Sequence, residues 1–182
     1  MLLLRKPTFT IVSLFLYRMV YITMLAFLIG ITIQPLLKLV GIPGFFLFYL
    51  MVFLTCITMH ELGHLLGAIL SKFRISMFSV GFLKFLRIKN RWVFQLSRNF
   101  IFGGTTLAAP LNEENLDNRL ILWTLGGPLF GLLYGLISFL FYFLIPIHWL
   151  EPLGSLSQAQ FLLLQTWLIA NGTFSILISF HS

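Results

Sequence analysis

The chain has 182 residues, 59% of them apolar and only 9% charged, with a mean hydropathy of +0.98 and a formal charge of +7. A soluble domain is roughly 45–50% apolar and 25% charged, so this composition excludes one and describes an integral membrane protein. A lone cysteine, Cys56, excludes an internal disulfide framework, and the positive charge suits cytoplasmic loops beside anionic lipid rather than nucleic acid.

In chain order, Arg5 and Lys6 stand ahead of apolar sequence with no small-residue cleavage site, which reads as a signal anchor. Phe9 to Tyr17 is expected along the interface, with Arg18 reaching toward head groups. A first span is predicted near 19–39, ending around Gln34-Pro35, and a second over 43–70. The third is predicted over 120–145 and the fourth over 159–180. Each is long enough for ~30 Å of hydrocarbon at ~1.5 Å per residue. Between the second and third, Phe78 to Ile88 and Trp92 to Phe102 are rich in aromatic and branched residues around a turn at Lys89-Asn90-Arg91. That pattern predicts a β-hairpin over 78–102, closed by Gly103-Gly104.

The expected fold class is therefore an all-α polytopic membrane protein. It has about four transmembrane helices and a membrane-associated β-hairpin between the second and third, in a single domain over 1–182. No acid occurs from Leu62 through Asn112, so the hairpin is basic and apolar at once. Anchoring to lipid and holding a substrate are both open to it. The acidic stretch from Asn112 to Asn118 is expected to cap the third span. Every Lys and Arg except Lys38 falls on one side of this arrangement, which the positive-inside rule makes cytoplasmic, with both termini inside.

The second span ends with the chemistry. His60-Glu61-Leu62-Gly63-His64 places two imidazoles four apart on a helix, offset by about 40° and ~6 Å, within reach of one ion. Glu61 between them can act on a metal-bound water. An acid at mid-helix in lipid costs roughly 2.5–3.5 kcal/mol on insertion scales, so three ionisable residues in one turn call for a reason, and zinc supplies one. The competing reading is a polar helix face lining a bundle interior without metal. Gly63 and Gly67 suit either, because small residues let another helix approach. Cys56, on the same face, is ~12 Å along a Cys56–His60–His64 row and is read as packing. His148 with Glu151 is read as an interfacial polar pair near Trp149.

These residues resemble the site-2 protease family of intramembrane zinc metalloproteases. The His60–His64 motif in its span carries the likeness. Phe78-Ser79-Val80-Gly81-Phe82 and Gly103-Gly104 look like the ends of the family's membrane-associated sheet, and Gly126-Gly127-Pro128-Leu129 resembles its Gly-Pro element in the next core helix. The likeness covers roughly residues 43–180 and lacks a PDZ domain, so it is to the small members.

The resemblance implies zinc held by His60 and His64, Glu61 as the catalytic base, and a membrane-embedded or membrane-associated peptide or protein as substrate. Asn171 corresponds to a family asparagine and is a candidate substrate contact. The family's third ligand is an aspartate followed by glycine on the last core helix. Here that helix runs from Ile169 through Asn171 to His181 and Ser182 with no Asp-Gly, and the one aspartate, Asp117, precedes the third span. Three readings remain open: the sequence ends before the aspartate, His181 substitutes as third ligand, or the scaffold persists without catalysis and binds a membrane peptide or partner uncut. A transporter reading has little support, since one span alone carries ionisable residues at depth and no inverted repeat is present. The compact form looks like that of a bacterial cytoplasmic-membrane protein.

Overall fold

The computed structural model describes residues 7–89, 91–96, 103–144 and 158–181. The expectations for Arg5, Lys6, Arg98, His148, Trp149 and Glu151 lie outside the described residues, as do those for the side chains of Arg18 and His181. Among the described residues the elements run α1 (Pro7–Leu70), β1 (Phe73–Val80), β2 (Leu83–Ile88), β3 (Arg91–Leu96), β4 (Gly104–Pro110), α2 (Leu116–Leu144) and α3 (Gln158–His181).

The predicted fold class is corrected in two respects. Among the described residues three helices, not about four, form candidate spans: Ile22–Leu70, Leu116–Leu144 and Ala159–Ser179. The molecule is also not all-α, because a four-stranded antiparallel sheet replaces the single hairpin.

The first correction comes from Gly41. The first two apolar segments are joined by one non-helical residue at φ 69°, ψ −179°, a region essentially reserved for glycine, so no loop separates them. Pro43 has no N–H to continue the earlier helical ladder, which favours a break there. The limbs fold back on one another: the Thr32 hydroxyl is hydrogen-bonded to Tyr49 OH, although 17 residues of straight helix would separate them by roughly 25 Å. Leu28 and Val52 share a core cluster with Cys56 and Ala170 for the same reason.

The sheet order is β3-β2-β1-β4. Gly81, at φ 54°, turns the chain inside the stretch read as one strand, and Lys89, at φ 46°, turns it again. β4 escaped the sequence reading because Gly-Thr-Thr-Leu-Ala-Ala-Pro holds few of the branched and aromatic residues that mark strands. β1 leaves the end of α1 through Lys72 and runs back along it; a Cβ on Gly81 would stand 3.1 Å from the Leu54 side chain, a position roughly 24 Å before Leu70 on the helix. α1 packs against the sheet through β1 and β4.

Arg119 fastens the junction. It donates to the carbonyls of Ser71 (2.7 Å), Glu114 (3.0 Å) and Lys72 (3.4 Å) and lies over the Phe73 ring. Arg119 therefore ties the end of α1, the start of β1 and the first turn of α2 together.

Candidate metal centre

The His-Glu-Leu-Gly-His turn lies on the side of α1 that faces α2. His60 and Glu61 are both buried, at 6% and 7% exposure, and the His60 and His64 rings stand 4.9 Å apart, centroid to centroid, nearly edge-on. The two rings are neighbours, as residues four apart on one helix face are.

Glycines on both helices bring α2 this close. Gly63 and Gly126 face each other so tightly that a Cβ on either would strike the other's backbone carbonyl, and a Cβ on Gly67 would lie 2.9 Å from the Leu122 carbonyl. This approach delivers the Trp123 carbonyl to His64 Nδ1 at 3.0 Å. A carbonyl only accepts, so Nδ1 carries the proton and Nε2 keeps its lone pair, the usual support given to a metal-binding histidine. Gly127 leaves the room that the His64 ring fills.

The sheet holds Glu61. Thr106 on β4 donates its hydroxyl to Glu61 Oε2 at 2.6 Å, and Gly104, two residues earlier, has no side chain where the Glu61 side chain sits. Glu61, His64, Gly104, Thr105, Thr106, Trp123 and Thr124 line a cavity of about 260 Å³. Pro128 lacks the N–H that the Thr124 carbonyl would otherwise receive in a helix.

Two observations fit a metal. His60 Nδ1 is buried and has no hydrogen-bond partner among the described residues, and His64 presents a bare Nε2. Two imidazoles are ligands zinc accepts, and a carboxylate between them is placed to act on a bound water. No cluster of three His, Cys, Asp or Glu side chains occurs among the described residues, so a third protein ligand of those types is not among them. Asp117 is exposed in the first turn of α2.

Asn171 is fully buried and already engaged. Its Nδ2 donates to the Trp167 carbonyl at 2.8 Å, and its Oδ1 accepts from Tyr134 OH at 3.1 Å and from the Cys56 thiol at 3.5 Å. This network ties the three helices together one turn from His60. Cys56 is buried in the core cluster, as its packing role requires.

Thr106, Gly104, Gly127 and the Trp123 carbonyl escaped the sequence reading as members of the site. Gly104 was visible as a hairpin-closing signal and Gly127 as part of the Gly-Pro element, but a threonine in a strand and a backbone carbonyl carry no local mark.

A model of peptidase family M50 matches residues 48–181, from the second limb of α1 to the end of α3. The chain belongs to peptidase family M50. This is the site-2 protease family of membrane-embedded zinc metalloproteases, and the match includes the His60–His64 turn, the sheet and both later helices. No curated protein and no solved structure matches the chain.

Proposed function

We propose that this M50 chain is an intramembrane zinc endopeptidase that cuts membrane-embedded or membrane-associated proteins, with Glu61 as the general base. The observation that carries the reading is the shared cavity, in which the Glu61 carboxylate and His64 meet the backbone of β4 between apolar helices. His60 and His64 would hold the ion. Bound zinc supplies Lewis acidity, which polarises a peptide carbonyl and acidifies water.

The chain's own residues do the rest. Glu61 takes a proton from the attacking water and returns it to the departing amine, so that water and an amide become an acid and an amine. Thr106 holds one carboxylate oxygen, which leaves the other to handle the proton. A helical substrate hides its carbonyls within its own ladder and must be drawn out before attack. β4 pairs with β1 on one side and is the last strand in the sheet order, so its other edge can receive an extended segment beside Glu61. The distribution of Lys and Arg supports a cytoplasmic opening to this site.

A non-cleaving relative that binds a membrane peptide is the second reading, favoured by the two-imidazole set among the described residues. Mapping new protein termini in membranes carrying wild type or Glu61→Gln separates the two. Termini within or beside apolar segments, present with wild type and lost in Glu61→Gln while zinc content stays, support the protease. His60→Ala should lose zinc and cleavage together. Identical termini in wild type and Glu61→Gln would leave the binding reading.

A further inference from the structure

Two candidate spans end side by side, apart from the metal centre. Ile22–Leu70 stops at the end of α1 and Leu116–Leu144 begins α2, and the Ser71 hydroxyl donates to the Arg119 carbonyl at 2.9 Å. Both ends therefore lie at one level, where apolar spans give way to head groups. A cavity of about 400 Å³ opens there, a size that takes a small ligand. Its lining has two kinds of surface. Leu70 and Leu111, each 69% exposed, are apolar, while Lys72 and Arg119 set two cations against the single carboxylate of Glu114. Arg119 is half-buried, and its hydrogen bonds end on neutral oxygens: the carbonyls of Ser71, Lys72, Asn112 and Glu114 and the Asn112 side chain. No carboxylate pairs with it or with Lys72 among the described residues. Lys72 also stands where a helix end ordinarily takes glycine, at φ 54°, with its N–H on the Ile69 carbonyl at 3.0 Å. A lysine at that position puts a cationic residue on the lining against its backbone preference.

We propose that this cavity binds the phosphate of a membrane phospholipid, with Lys72 and Arg119 attracting the anion and Leu70 and Leu111 flanking the acyl end. Basic pockets between spans at head-group depth are where anionic lipids bind. The exposed leucines favour a lipid over free phosphate, because a soluble anion gains nothing from apolar neighbours. A half-buried guanidinium without a carboxylate also calls for an external anion. The bound head group braces the junction of α1, β1 and α2 from outside, so stability rises with lipid by mass action. This inference depends on neither zinc nor proteolysis.

The test titrates the full chain in dodecyl maltoside micelles with phosphatidylglycerol, phosphatidylcholine or inorganic phosphate, read by native mass spectrometry and by melting temperature. Phosphatidylglycerol should bind and raise the melting temperature; phosphatidylcholine, whose trimethylammonium offsets its phosphate, should bind more weakly. Lys72→Asn keeps a residue that accepts positive φ and should weaken phosphatidylglycerol binding about fivefold. Lys84→Asn removes the same charge from β2, outside the cavity, and should stay near wild type. Glu114→Gln removes the opposing carboxylate and should tighten binding. Equal weakening in Lys72→Asn and Lys84→Asn, or none in either, would mean diffuse attraction to a basic chain and overturn the proposal. Protection by inorganic phosphate as strong as by phosphatidylglycerol, and lost in Lys72→Asn, would assign the cavity to a soluble anion and sink the lipid.

Discussion

The two walls of the site are built in opposite ways. On the helix wall backbone meets backbone: Gly63 against Gly126, Gly67 against Leu122 and Trp123, and Gly135 against Gly172. Glycine contacts leave no rotamers to rearrange, so imidazoles placed between them are held by the helix axes themselves. On the sheet wall a single hydroxyl and a single missing side chain hold Glu61, and beyond β1 the sheet faces outward. The Phe78, Phe85 and Phe94 rings form a row with centroids 6.3 and 5.3 Å apart, while Trp92, Phe94 and Leu96 are more than half exposed. His60 and His64 thus sit on the rigid side and Glu61 on the adjustable one.

Substitutions at four positions grade this contrast. Gly127→Val drives a branched side chain into the His64 ring, so zinc affinity should fall about 100-fold by chelator competition, with a loss of ~1–3 kcal/mol in unfolding stability. Gly104→Val should displace Glu61 instead, lowering cleavage by ~10²-fold or more while zinc binding persists. Removing only the hydroxyl, in Thr106→Val, should slow cleavage about tenfold, the size of one hydrogen bond to a charged group, with zinc content unchanged. Phe94→Ala, at 53% exposure on the outer hairpin, should change stability by less than ~0.5 kcal/mol in denaturant unfolding. If Phe94→Ala destabilised as much as Gly127→Val, the sheet would be as integral as the helices and the contrast would collapse.

Local pattern carried the chemistry into view. Imidazoles four apart on an apolar helix share a face whatever surrounds them, so the neighbouring rings of His60 and His64 were readable, and their placement in lipid argued for a metal. The close approach of a helix at Gly63 and Gly67 was equally legible, because small residues have one obvious use in a span. Turn chemistry was harder. Gly81 lies within a continuous run of strand-forming residues, and only its positive φ shows that the run is two strands. Gly41 likewise joins two helical limbs at a single non-helical residue, so the two apolar segments that hydropathy separates form one candidate span, folded back on itself.

By itself, then, the sequence determined membrane residence, the positions of the apolar helices and the paired imidazoles with their glutamate, all of which depend on composition and on periods of a few residues. Tertiary structure alone decided what each of those groups touches. The Trp123 carbonyl on His64, the Thr106 hydroxyl on Glu61 and the contact of Gly63 with Gly126 join residues 45 or more positions apart. Such pairings depend on how closely the helix axes approach and on which strand takes the sheet edge, and no local spacing encodes either.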